Sequence, residues 1–295
     1  MVNTHILPQE FQYHEPRTLA EAVSLLQTHG AAARILAGGT DLLVQMKLGK
    51  IIPQHLIQIS KISELQFLTE GKGLRIGPLV VFREIEKSPV VRDKYTALFE
   101  AAHSVTSIQI RNMGTLAGNL CHASPASDSA PALIALRAQL GLFSAKGTRT
   151  LPLEDFYAGP GKTHLLPDEL LAEICIPDVG SASGSAFLKL TRVAADLAKV
   201  NVAAFIERDK DVCRECRIVM GAVAPKPLRL KQTEEILKGK RFEENLCRLA
   251  GEKAAEEIRP ITDIRSTAWY RQEVTKILVR DVLKEAWMRA SRMPK

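Results

Sequence analysis

At 295 residues the chain exceeds the size at which one hydrophobic core keeps growing, so two domains are expected. Its 46% apolar and 25% charged residues are ordinary for a globular protein, and no run of about 18 apolar residues is available to span a bilayer. The net charge of +7 is spread along the chain and aromatics make up only 5%, which argues against a nucleic-acid groove or a stacking platform for single strands and leaves attraction to anionic ligands.

Met1 to His5 lack a basic start followed by an apolar core, so no export signal is expected and a cytoplasmic location follows. Thr18 to His29 read as a helix with Leu19, Ala22, Val23, Leu25 and Leu26 on its apolar side and Gly30 as its C-terminal cap. Ala33 to Leu36 read as a short buried strand that runs into Ala37-Gly38-Gly39-Thr40-Asp41. Leu42, Leu43 and Met46 then suit a short helix capped by Thr40 or Asp41. Leu56–Ile59 and Leu74–Gly77 are strand candidates, Phe82–Glu86 begins a helix, and Leu98–Val105 is helical in pattern. A second glycine turn, Thr115-Leu116-Ala117-Gly118-Asn119, follows, and then a buried helix over Pro131–Leu136 that Asp128 would cap.

The proline, glycines and serines of Pro177–Gly184 mark the best linker. Beyond it, Ala186–Leu190, Lys199–Ile206 and Cys216–Val223 read as strands, and Leu228–Leu237 and Phe242–Ile258 as helices. A long last helix, Trp269–Ala290, carries Val274, Ile277, Leu278, Val279, Val282 and Leu283 on its apolar side. The fold class is therefore α+β, split near residue 180.

Two glycine turns, each beside an apolar segment, suggest a ligand with two phosphates gripped from both sides. Glycine lets the backbone approach a ligand, and consecutive N–H groups in such a turn suit a phosphate oxygen. The first turn is also open to a plain-loop reading, and it lacks the G-x-G-x-x-G of a Rossmann fingerprint. The second lies in a stretch dense in polar groups, Gln109 to Asn119 and then Ser124, Ser127 and Asp128. These need partners, either as caps within a loop or around a ligand. His103 and His122, on either side of this stretch, read as local hydrogen-bonding residues.

The odd count of five cysteines points to free thiols in a reducing compartment, and Cys213-x-x-Cys216 has no second pair to complete a zinc site. The seven histidines show no metal-binding spacing, and no acid–base pair stands out. No catalytic or metal-ligating residue is therefore assigned, and the chemistry is expected to belong to a cofactor.

Three stretches carry a resemblance: Ala37 to Leu43, Gln109 to Leu120, and Ser124-Pro125-Ala126-Ser127-Asp128. They are similar to the FAD-binding medium subunits of molybdenum hydroxylases, the family of bacterial xanthine dehydrogenases and aerobic carbon monoxide dehydrogenases. The likeness continues through Asp155–Thr163, Asp168–Leu171, Ala198–Ala203 and Gly221–Pro225, in the same order over nearly the whole chain.

The resemblance implies a two-subdomain FAD-binding domain of the vanillyl-alcohol-oxidase type over 1–179. A smaller C-terminal α+β domain, an antiparallel sheet with helices, would follow over 184–295. It implies that Ile35, Leu36, Ala37, Gly38, Gly39, Thr40, Asp41 and Leu42 wrap the FAD pyrophosphate from one side. Thr115, Leu116, Ala117, Gly118 and Asn119 would wrap it from the other. Asp128, Leu170 and Lys189 would contact or flank the cofactor.

The implied activity is electron transfer. A large molybdopterin subunit oxidises an organic substrate, a small iron–sulfur subunit relays the electrons, and FAD here passes them to an external acceptor such as NAD. A free-standing FAD oxidoreductase and a non-enzymatic nucleotide-binding protein are the rival readings. No inserted cysteine loop for an iron–sulfur cluster is present. One position departs from the family pattern: Ala117-Gly118-Asn119 stands where Gly-Gly-Asn is common, so either Ala117 has negative φ and binding is kept, or the loop sits slightly differently and binding weakens. The reading requires Gly39 and Gly118 to share one cleft.

Overall fold

The computed structural model describes residue 7 and residues 9–290; Met1 to His5, read above for an export signal, lie outside the described residues. The chain begins with strand β1 (Gln12–His14), helix α1 (Leu19–His29), β2 (Ala33–Leu36), α2 (Leu42–Lys47) and β3 (His55–Gln58). Thr18 caps α1 by accepting a hydrogen bond from the Glu21 amide, and Ala22, Val23 and Leu26 are its buried face. The three strands form a parallel sheet in the order β1-β3-β2, with α1 packed on β2 and β3.

Next come β4 (Leu68–Gly71), β5 (Gly73–Ile76), α3 (Phe82–Lys87), α4 (Pro89–Lys94), α5 (Thr96–His103), α6 (Ile108–Met113), α7 (Leu116–His122) and α8 (Ser129–Ala135). They are followed by β6 (Gln139–Ser144), β7 (Gly147–Pro152), the short pair β8 (Tyr157–Gly159) and β9 (Lys162–Thr163), and β10 (Leu170–Pro177). Strands β4-β5-β10-β6-β7 make a five-stranded antiparallel sheet. Its core continues into α5, α7 and α8 through Leu98, Ala101, Leu120, Leu133, Leu140, Leu142 and Ile174, all fully buried.

The C-terminal part is a four-stranded antiparallel sheet, β11 (Ser183–Leu190), β12 (Val200–Asp209), β13 (Val212–Gly221) and β14 (Leu228–Arg229), followed by α9 (Lys231–Leu237), α10 (Glu244–Glu257) and α11 (Ala268–Ala290). Successive side chains of a strand point to opposite faces, and β12 uses both faces for burial. Val200, Val202, Ala204 and Ile206 join the core under α10 and α11, whereas Ala203 and Phe205 join the core of α5 and α8. The sheet is thus held between its own helices and those of the preceding region. This explains why Val202 to Ile206 is apolar at every position.

The sequence-read strand and helix positions recur with shifted ends. Three assignments change. Leu228 and Arg229, read as the start of a helix, pair with Met220 and Val219 as β14, and the helix starts only at Lys231. The second glycine turn is also not a free turn. Residues Leu116 to Asn119 are the start of α7, capped by Thr115. Ser183 and Gly184, assigned to the linker, open β11. Among the described residues, no helix is long and apolar enough to cross a membrane.

Candidate functional site

The end of β2 runs into the first glycine loop, and the loop opens α2. Gly39 has φ +71°, the left-handed region that favours glycine. Gly38 lies so close to the end of α6 that a Cβ there would sit 1.9 Å from the Met113 carbonyl oxygen. The first loop therefore rests directly on the chain that leads into the second.

That second segment is fixed from both sides. The Phe82 amide donates to the Gly114 carbonyl at 3.1 Å, and the Leu116 amide donates to the Val80 carbonyl at 3.0 Å. The Thr115 hydroxyl accepts from the Gly118 amide at 3.0 Å. Arg111 holds α6 in place by pairing with Glu86 at 3.2 Å and donating to the carbonyls of His103 and Val105. Ala117 sits in the first turn of α7 and is not among the residues with positive φ, so alanine costs no backbone strain at this position.

The two loops line one cleft of about 630 Å³, within the size range of ligand and cofactor sites. Gly38, Gly39, Gly114 and Gly118 have no side chains, so the wall there is main chain, as a phosphate cradle requires. Ile35, Leu36, Leu165, Leu166, Leu170 and Phe82 supply apolar walls suited to flat rings. Thr40, Thr115, Asn119 and Gln45 supply hydrogen-bonding groups. Across the cleft, His122 lies 3.7 Å from the Asp41 carboxylate and 3.1 Å from the Gln45 side chain, which clips α2 to α7. Burial pushes the thiol of the lining residue Cys121 up to about 12, which favours its neutral form.

Of the residues singled out from sequence, Ile35 to Leu42, Thr115, Ala117, Gly118, Asn119 and Leu170 line the cleft. Leu116 is fully buried and faces the core. Asp128 and Lys189 are not in the lining. They form an ion pair at 2.6 Å beneath it, both side chains less than one-tenth exposed. Lys189 also donates to the Ser104 carbonyl, and Asn201 donates to Asp128 at 2.9 Å and to the Ser127 carbonyl at 3.0 Å.

Asp128 thus occupies the cap position of α8 without a side-chain cap bond, because its oxygens are taken by β11 and β12. Burial pushes its carboxyl above the ordinary range, against the pull of the Lys189 ammonium. Ser127 and Ser129 both donate to the Asn119 side-chain oxygen, at 2.6 and 2.7 Å. The network links the cleft wall to the C-terminal sheet.

Several lining residues were not named as site residues from sequence, among them Gly30, Ala31, Ala33, Arg34, Phe82 and, apart from Leu170, the segment Leu165 to Leu171. The last of these has a visible physical cause: it is held by Glu169, whose carboxylate receives two bonds from Arg149 at 2.6 and 2.8 Å and one from the Leu166 amide at 2.8 Å. The Arg149 guanidinium holds the Glu169 carboxyl below its usual range. Arg149 and Glu169 lie 20 residues apart, and only the fold joins them.

Residues 9–179 match the family described as the FAD-binding domain in molybdopterin dehydrogenase, and residues 185–286 match the carbon monoxide dehydrogenase flavoprotein C-terminal domain. The chain belongs to the FAD-binding subunits of molybdopterin dehydrogenases.

It is 34% identical to the carbon monoxide dehydrogenase medium chain of Hydrogenophaga pseudoflava over 287 residues, covering 97% of this chain and 100% of that one. It is 31% identical to a putative xanthine dehydrogenase FAD-binding subunit of Escherichia coli, covering 93% and 95%. Among solved structures, carbon monoxide dehydrogenase from Hydrogenophaga pseudoflava superposes with a TM-score of 0.93 at 34% identity, covering 96% of this chain and 99% of that one. Quinoline 2-oxidoreductase from Pseudomonas putida gives 0.90 at 28% identity, covering 96% and 98%. The fold is therefore that of an FAD-binding domain with the flavoprotein C-terminal domain, the cofactor is FAD, and the chain is an oxidoreductase subunit of the molybdenum hydroxylase type.

Proposed function

We propose that this chain is the electron-transfer subunit of its complex. It takes up electrons released when a large molybdopterin-bearing partner oxidises an organic substrate, relayed by the iron–sulfur clusters of a small partner. It passes them to an external acceptor such as NAD in the cytoplasm. When bound, FAD supplies the redox chemistry. The chain's own residues bind and orient it.

In this reading residues 1–179 hold the cofactor and 184–295 brace it from behind. Ile35 to Leu42 hold the pyrophosphate from one side, and Thr115, Ala117, Gly118 and Asn119 hold it from the other, with Leu116 anchoring that turn in the core. Leu170 flanks the ring systems. Asp128 and Lys189 act from beneath, through Ser127 and Asn119, by setting the position of the second loop. The observation that supports this most is that two glycine segments remote in sequence line one cleft with main chain. A free-standing flavoenzyme would need an acid or base of its own; of the lining carboxylates, Glu169 is committed to Arg149 and Asp41 faces His122 at 3.7 Å.

The test is to co-express the chain with its chromosomal neighbours, purify the assembly and follow its visible spectrum. Substrate is expected to bleach both the cluster and the flavin bands, and NADH is expected to bleach the flavin. A flavin that stays oxidised while substrate reduces the clusters would overturn the relay. A flavin indifferent to NADH would remove NAD as the acceptor.

A further inference from the structure

Three histidines with no relation in sequence spacing meet at one corner of the parallel sheet. His14 ends β1, His29 ends α1 and His55 begins β3. All three are half-buried, and each offers a ring nitrogen such that the three atoms lie within 4.8 Å of one another. His14 Nε2 and His55 Nδ1 are 3.1 Å apart, and the His29 and His55 rings stack with centroids at 3.6 Å. We propose that His14, His29 and His55 form a binding site for a divalent transition-metal ion of the zinc type, ligated through three imidazole nitrogens with the remaining coordination left to water.

The distances suit such an ion. Zinc–nitrogen bonds of about 2.0–2.1 Å in a tetrahedron place ligand nitrogens about 3.3 Å apart. The His14–His55 pair already has that spacing, and the third nitrogen closes on it by rotation of the His29 side chain. The rings of His29 and His55 are 17° from parallel, so binding tilts them until their lone pairs converge. An all-imidazole set without a carboxylate selects zinc, copper, nickel or cobalt over magnesium or calcium. Three imidazoles this close repel one another if more than one is charged, and the neutral ring is the form that binds metal.

The place in the fold gives the site a consequence. His29 directly precedes Gly30, and Gly30, Ala31, Ala33 and Arg34 line the FAD cleft. His55 is the register partner of Ala33. A bound ion ties the end of α1 to both β1 and β3 and so stiffens that rim of the cleft. It plays no part in electron transfer.

The experiment uses the full-length chain with its FAD and without an affinity tag, stripped with chelator and then titrated with zinc chloride. We expect about one zinc per chain to survive gel filtration, with micromolar or tighter affinity by calorimetry, and a rise in melting temperature. Each of H14Q, H29Q and H55Q is expected to weaken binding by about tenfold or more. C213S/C216S, which removes the only Cys-x-x-Cys pair, is expected to leave it unchanged. FAD content and circular dichroism report that each variant is folded. If H29Q at the helix end fails that check, H14Q on the edge strand carries the same test. No retained zinc, zinc retained equally by the His14/His29/His55 triple glutamine variant, or zinc lost in C213S/C216S would overturn the proposal.

Discussion

The two segments that line the cleft solve the same problem with different backbone. The first, Ala37 to Asp41, is a loop in which one glycine has positive φ and its neighbour touches another main chain. The second, Thr115 to Asn119, is the capped first turn of a helix with ordinary negative φ throughout. The first depends on glycine for geometry that no other residue supplies. The second depends on a hydroxyl cap and tolerates a methyl group. Sequence similarity between two glycine-bearing loops therefore hides a difference in which atoms each loop cannot lose.

The largest expected effect lies in the first segment. In Gly38→Ala the added Cβ meets the Met113 carbonyl oxygen at 1.9 Å and its carbon at 2.8 Å, backbone atoms with no freedom to rotate away. Loop and helix end must separate, at a cost of roughly 3 kcal/mol or more. Thermal melting and the flavin-to-protein ratio are expected to fall together. A variant that melts like the parent with a full complement of FAD would show that the contact between the loops is not what shapes the cleft. Gly39→Ala is expected to cost less, about 1–2 kcal/mol, because the penalty is left-handed backbone. The nearest atoms to its Cβ, at 3.0 and 3.1 Å, are the side-chain ends of Leu43 and Leu36, which can move.

What the sequence made legible follows the same division. Glycine next to small polar residues, set after an apolar strand and before an apolar helix, drew attention to Ala37 to Asp41, but only the family resemblance decided between a plain loop and a phosphate site. The helices α1, α5 and α10 were legible from their apolar pattern, and β12 and β13 were legible as strands. The helix α11 was legible too, but Ile277, read on its apolar side, is 52% exposed, while Ala286 and Ala290 are buried.

Other features depend on partners far along the chain. The segment Leu165–Leu171 reaches the cleft because Glu169 is held by Arg149. Asp128 leaves the cap role its position suggests because Lys189 and Asn201, 61 and 73 residues later, claim its oxygens. Leu228–Arg229 became a strand because the edge of β13 offered it hydrogen bonds, although its own pattern continues into α9. Local pattern shows which residues want burial or a cap. It does not show which distant group will satisfy them.

Smaller effects are expected in the second segment, and they sharpen the contrast. Thr115→Ala removes the oxygen that accepts from the Gly118 amide and is expected to cost about 1 kcal/mol, whereas Thr115→Ser keeps it and is near neutral. Asp41, at the matching place before α2, makes no side-chain cap bond, so it has no equivalent bond to lose.

The smallest and most diagnostic change is Ala117→Gly, which restores the glycine common in the family. If the position needed left-handed backbone, glycine would relieve strain and raise both stability and FAD retention. Ala117 is instead helical and nearly buried, so glycine adds only backbone entropy and removes a packed methyl. The expected outcome is a loss of a few tenths to about 1 kcal/mol with unchanged flavin content. A melting temperature that rises would mean that the second segment, like the first, is held in a conformation that glycine alone adopts freely.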